Sequence, residues 1–389
     1  MTNLQNDSDN IVLEEIEQDT NKERVLAVSA RGKTRYMRKK YSTKKNNARK
    51  VAKILLIIII ILALLAATLF AVYLYLNNKG KQELLESNKN VDIKTIENVE
   101  SEDKGRTITY NGDTYRFNED LISIVIIGVD KSELGAEEHG TAGQADAIYI
   151  FTYDTKSGKC SLIPVSRELM TEVNVYSVSG AETGIETMQL CLSFAYGNGK
   201  DTSCQNTVDA LSRAFYNIPF SKYIALNWDV IGPLNDAIGG VTLKAIEDVH
   251  TSKSTIYKGS KVTLMGDDAW SYIKYRNTSE LNSNSGRLNR QKQYLNAYVT
   301  KLLPMVQNDM SLITDLYDTA DEYMYTNINR DNLIYLASDV LPNIYSTKDI
   351  NYLTIDGETK HGDVYAEFYP DETSLYETIL RVFYLKDIE

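Results

Sequence analysis

Ile54 to Leu76 reads ILLIIIIILALLAATLFAVYLYL, 23 consecutive positions without a charge. As a helix rising about 1.5 Å per residue it spans roughly 35 Å, enough to cross a ~30 Å hydrocarbon core with some tilt. A core helix of a soluble domain carries a polar face over such a length, and this one has none. Tyr73 and Tyr75 stand near its far end, where interfacial aromatics belong. A cleavable signal peptide does not fit: 53 residues precede the stretch, and Asn77, Asn78 and Lys79 close it without a small-residue cleavage pattern. One membrane anchor is expected.

Charge fixes the expected orientation. The 389 residues carry 42 Lys+Arg and 53 Asp+Glu, net −11, and the imbalance is unevenly spread. Residues 1–30 hold seven acids and two bases, whereas residues 31–53 hold eleven bases and no acid. The positive flank predicts a cytoplasmic N-terminus and an extracellular, acidic C-terminal body. A basic run beside a span serves topology and anionic lipid, so no nucleic-acid partner is expected. Three histidines far apart (His139, His250, His361) argue against a His-based zinc site or a Ser-His-Asp triad. Three cysteines without a CxxC argue against a cysteine-rich metal site.

Four segments follow: a cytoplasmic tail (1–53) with its basic juxtamembrane run, a transmembrane helix (54–76), a polar extracellular linker (77–106) and one large extracellular domain (107–389). Within that domain Asn111-Gly112 predicts a hairpin turn. The apolar runs Leu121–Asp130, Ala147–Asp154, Cys160–Arg167 and Tyr223–Trp228 predict strands. Three-and-four spacing predicts helices over Thr202–Ile218, Ala269–Arg276, Gly286–Val306 (stopping before Pro304) and Asp331–Val340. Tyr352–Ile355 and Val364–Phe368 read as a closing strand pair, before a last helix from Pro370 to Phe383. Strands alternating with helices give an α/β class, an α+β sandwich with a central mixed sheet flanked by helices.

Asp130 and Asp146 lie where strands end, a common place for ligand-binding groups. Two carboxylates there either cap turns or hold Mg²⁺, which takes one or two protein carboxylates and completes its shell with water and phosphate. Arg167 ends a strand, and Lys274 and Arg276 close a helical segment. Arg287, Arg290 and Gln291 stand at i, i+3 and i+4, which predicts one shared side of a helix start. These bases are either surface ion-pair partners or a phosphate site suited to guanidinium forks.

Taken together and in order, ISIVIIGVD, GQADAIYIFTYD, LIPVSRE, YIALNWDVIGPLNDAIGGV, MGDDAWSYIKYRN and GRLNRQKQ resemble the LytR-CpsA-Psr family of Gram-positive envelope proteins. The resemblance covers roughly 120–306. It implies a phosphotransferase that moves a glycopolymer from an undecaprenyl-pyrophosphate carrier onto peptidoglycan. By that resemblance Asp130 and Asp146 hold Mg²⁺. Asp146 and Arg167 are catalytic, and Arg167, Lys274, Arg276, Arg287, Arg290 and Gln291 bind the pyrophosphate. The lipid tail enters an apolar pocket between sheet and helices. The chain departs from the pattern at Gln144 and Lys274, where the family often has Arg, and at Glu168, where it often has Asp. Asn282-Ser283-Asn284 replaces an acidic stretch. The lost guanidiniums motivate an alternative, a non-enzymatic polyprenyl-phosphate or wall-polymer sensor. Finally, Cys191 and Cys204, 13 residues apart across a polar loop, could approach closely enough for a disulfide, with Cys160 packed as a small apolar residue; the alternative is three buried free thiols.

Overall fold

The computed structural model describes residues 44–387, apart from 98, 132–133, 136–137, 252–253, 276–282, 345–346 and 363–364, together with the earlier segments 12–16, 24–30 and 33–39. The chain divides into two units, residues 1–73 and 74–389. In the first, strands Val12–Ile16, Arg24–Ala30 and Lys33–Lys39 pair as an antiparallel meander. Helix α1 (Lys44–Leu84) follows and the division falls within it, so that its residues 74–84 belong to the second unit; its segment Ala52–Leu84 is long and apolar enough to cross a membrane. Ile54, Ile57, Ile61 and Leu65 are all exposed, an apolar surface that no protein packing covers.

The second unit is built on a mixed six-stranded sheet. Its members are β1 (Leu121–Val129), β2 (Ala145–Asp154), β3 (Cys160–Val165), β4 (Lys222–Asn227), β5 (Met324–Thr326) and β6 (Ile350–Tyr352). The order is β5-β4-β1-β2-β3-β6, with β4 parallel to β1, β6 parallel to β3 and the other pairs antiparallel. β1 is apolar apart from the buried Ser123, as expected of a strand covered on both faces. On one face Val125 and Ile127 join Ile148, Ile150 and Ile163 under α2 (Asp201–Ala214) and the C-terminal α6 (Glu372–Phe383). On the other face lie α3 (Ile231–Ala237), α4 (Asp267–Lys274), α5 (Ser283–Asn308) and an apolar cavity.

Several boundaries differ from the sequence reading for physical reasons. The second helix stops at Ala214 because Tyr216 and Asn217 take left-handed backbone, φ 54° and 63°. α5 runs through Pro304 to Asn308. The proline removes the donor for the Thr300 carbonyl, but Thr300 is exposed and water can serve it. The expected Tyr352–Ile355/Val364–Phe368 pair is corrected. β6 pairs with β3, and Ala366–Pro370 instead pairs with Gly357–His361. Val364 and Arg276 lie outside the described residues. Residues 77–106, read from the sequence as a linker, deliver Leu84, Leu85, Val91 and Ile93 to the core.

The Cys191–Cys204 disulfide that the spacing allows is not formed, and Cys160, Cys191 and Cys204 are free, buried thiols. Cys204 packs among Val208, Phe194 and Leu211, while Cys191 turns its sulfur toward Arg167. Burial pushes the Cys160 thiol up to about 12 and the other two upward as well, which suppresses the reactive thiolate. Alkylation of the native chain should therefore be slow at all three. Three modified cysteines should appear after unfolding without reductant, read by peptide mapping; a disulfide-linked peptide would contradict this.

Asp154 ends β2 and organises the following turn. Its carboxylate accepts from the Lys156 amide at 2.8 Å, the Ser157 hydroxyl at 2.8 Å and Asn118 Nδ2 at 3.2 Å. Burial raises this carboxyl, but these donors outweigh it and hold the group below its ordinary value. Its contribution to stability is therefore complete above the unfolded-state value near 4 and is lost as pH falls through the lower folded value. Asp154→Asn should flatten the acid limb of the stability profile, followed by urea titrations between pH 5 and 2. An unchanged limb would remove Asp154 from that role.

Candidate functional site

The site assembles where β1 ends and β2 begins. These strands pair regularly up to Gly128↔Ala147, but the next pair is Val129↔Ala145. Asp146 is thus the extra residue of a β-bulge, a device that re-aims a side chain at a sheet rim. Asp130 follows β1 directly. Its backbone amide donates to the Gln144 carbonyl at 3.1 Å, and its Oδ1 accepts from the Gln144 amide at 2.6 Å. The two acids are thereby fixed at the neck of the loop between the strands.

Asp130, Asp146, Trp228, Lys274, Tyr275, Arg287 and Gln291 line one cleft of about 430 Å³. Lys274 ends α4, with Nζ 4.0 Å from the centre of the Trp270 ring, a cation–π contact that holds the ammonium in place. Arg287 and Gln291 face the cleft from successive turns of α5. Arg167 stands behind Asp146 and ion-pairs with it. Its second nitrogen donates to Gln144 Oε1 and to Cys191 Sγ, the latter at 3.4 Å. Sequence reasoning had not singled out Trp228 and Tyr275, which wall the cleft; the aromatic directly after β4 was the available signal for the first.

Arg290 points elsewhere. Only 1% exposed, it donates from Nε to the Tyr272 carbonyl at 2.8 Å, from Nη2 to the Tyr275 carbonyl and from Nη1 to Glu247. It thereby locks α5 to the end of α4. The i, i+3, i+4 spacing spreads side chains over about 100° of a helix, wide enough for Arg290 to belong to a different neighbour.

The charged cleft adjoins an apolar cavity of about 560 Å³, and Trp228 and Gln291 line both. The cavity runs along Ile124, Ile126, Tyr149 and Phe151 of the sheet, under Leu295 and Val299 of α5. Burial pushes the Tyr149 phenol up, so it stays neutral there. A wider cavity of about 1010 Å³ lies at the opposite strand ends, near Tyr110, Asp154 and Arg381, and gathers none of the candidate residues.

Among the described residues no cluster of three or more His, Cys, Asp or Glu side chains converges on a metal position. Two carboxylates in one cleft nevertheless fit Mg²⁺, whose remaining positions are taken by water and phosphate oxygens.

The sequence profile of the LytR_cpsA_psr family matches residues 72–381. The chain belongs to the LytR-CpsA-Psr family. It is 26% identical over 255 residues to the polyisoprenyl-teichoic acid–peptidoglycan teichoic acid transferase TagU of Halalkalibacterium halodurans, covering 65% of this chain and 76% of that protein. The protein of the same name from Enterococcus faecalis is 22% identical over 276 residues, covering 70% and 80%. The crystal structure of B. subtilis TagV shares the fold, with a TM-score of 0.52 at 21% identity over 68% of this chain and 96% of that one. In this LytR-CpsA-Psr protein Gln144 accepts from the guanidinium of Arg167 instead of adding a second one.

Proposed function

We propose that the chain is a membrane-anchored phosphotransferase of the cell envelope, moving a glycopolymer from an undecaprenyl-pyrophosphate carrier to peptidoglycan. Its N-terminus is cytoplasmic and its C-terminal domain extracellular. The observation that carries this reading is the junction of two environments: a cleft with two acids and two bases opens beside a long apolar cavity. A pyrophosphate head on a polyprenyl tail needs both.

An acceptor hydroxyl attacks the phosphorus that bears the glycopolymer. The new P–O bond forms as the bond to the lipid phosphate breaks, leaving a phosphodiester and releasing undecaprenyl phosphate. Lys274 and Arg287 bind the pyrophosphate oxygens, and Arg167, oriented by Asp146 and Gln144, stabilises charge growing on the leaving phosphate. Asp146 takes the hydroxyl proton. Asp130, with Asp146 until it takes up the proton, would hold Mg²⁺, which would supply further charge neutralisation. Gln291, lining both cleft and cavity, sits where head and tail meet.

A second reading, a sensor that binds the lipid without turnover, is favoured by one observation: Arg167 is bonded by three protein groups. The two part on a single measurement with the full chain in detergent, Mg²⁺-dependent release of lipid phosphate from a lipid-pyrophosphate glycan. Release supports the transferase; tight lipid binding without release supports the sensor.

A further inference from the structure

The last turns of α1 are seated on the segment Arg330–Ile344. Gly80 makes the closest approach: a Cβ there would lie 2.0 Å from the Asp331 carbonyl oxygen, so only glycine permits the contact. Asn332, fully buried, donates to the Gly80 carbonyl at 3.1 Å, and its own helix Arg330–Tyr335 starts with an Asn329–Asn332 capping box. Asn77 Nδ2 donates to Ser338 Oγ at 2.7 Å and Asp339 Oδ2 at 2.6 Å. Lys79 pairs with Asp331 at 2.5 Å. Leu84 and Leu85 pack with Tyr335, Val340 and Ile344.

The other side of this segment bounds the apolar cavity, through Leu336, Val340, Leu341 and Ile344. Leu336–Val340 is a single π-helical turn, a local form frequent at functional sites. The wall sits at the cavity's far end. Val340 and Ile344 cluster with Ile122 and Ile124 near the start of β1, whereas the charged cleft lies past its last residue, Val129. Five residues of strand, from Ile124 to Val129, separate them by roughly 17 Å.

We propose that the docked end of the anchor helix, residues 77–85, positions this wall and so sets the cavity's affinity for a long polyprenyl chain. The inference rests on the lipid reading given under Proposed function. Wall residues that face α1 on one side and the cavity on the other cannot keep their place when the α1 contacts are lost. Asn332 would then also be left with a buried amide short of a partner. A chain of two isoprene units fills only the cleft end and does not touch the wall; an undecaprenyl chain does.

The test uses the full chain in detergent, with undecaprenyl pyrophosphate and geranyl pyrophosphate as probes. In Asn77→Ala/Lys79→Ala the Kd for undecaprenyl pyrophosphate should rise by about tenfold, the equivalent of one or two lost hydrogen bonds, while that for geranyl pyrophosphate stays within twofold. Equal shifts for both probes, or none, overturn the proposal. Should the double variant not fold, Asn77→Ala alone is read the same way. A parent chain that binds geranyl but not undecaprenyl pyrophosphate overturns the lipid reading itself, and the inference falls with it. A parent that binds both, with a variant that does not discriminate, overturns the inference alone.

Discussion

Asp146→Ala should lower Mg²⁺-dependent release of lipid phosphate by about 10²–10⁴-fold, the range lost with a positioned acid–base group. The carboxylate combines three tasks in the proposed reaction: a metal ligand, a proton acceptor and the partner that aims Arg167. Stability should fall less than turnover, because the side chain sits at a bulge on the sheet rim, one-fifth exposed, and Arg167 keeps Gln144 as an acceptor when the carboxylate is removed. Arg167→Ala should reduce turnover comparably, and Arg167→Lys should recover only part of it, since an ammonium cannot replace a planar fork. Full turnover by Asp146→Ala, with the unfolding midpoint kept, would remove Asp146 from the mechanism, and full turnover by Arg167→Ala would remove Arg167.

The largest loss of stability is expected at Glu247. Arg290 is almost wholly buried, and Glu247 is its charge partner, while its Nε and Nη2 donate to the Tyr272 and Tyr275 carbonyls. Glu247→Ala leaves an uncompensated guanidinium under α5, a change that costs about 3 kcal/mol, near the low end for buried pairs because Glu247 itself reaches water. Glu247→Gln keeps a hydrogen-bond acceptor and should cost less. Urea unfolding of the two variants separates these cases. A Glu247→Ala variant within about 0.5 kcal/mol of the parent would show that water satisfies Arg290.

The strands that carry the site were legible because each is a long apolar run ending in a charge, as at Val129-Asp130 and Val165-Ser166-Arg167. The hairpin Met170–Tyr176/Glu182–Gln189 was not, because its second strand is solvated on both faces and its Thr, Glu and Gly residues carry no apolar alternation. Residues 77–93 looked like linker because Leu84, Leu85, Val91 and Ile93 are scattered in a polar segment; only the tertiary partner reveals them as core. Arg290 was indistinguishable from Arg287 in sequence, since the direction of a helix face depends on what packs beside it. The Cys191–Cys204 pairing failed for a related reason: loop length permits approach, but Cys191 is directed at Arg167 instead.

The bulge at Asp146 has a bearing on how the sheet assembles. β2 is apolar on both sides: Ile148 and Ile150 face one layer, Tyr149 and Phe151 the other. A strand with two apolar faces slides by one residue almost without penalty from hydrophobic sorting, which is the usual guardian of alignment. Here the guardian is a charge. A one-residue slip that straightened the ladder would press Asp146 into the layer that now holds Ala145, with no cation to meet it. The residue proposed as proton acceptor therefore owes its place at the cleft to the extra residue in β2, since in a straight ladder it would lie where Ala145 now packs.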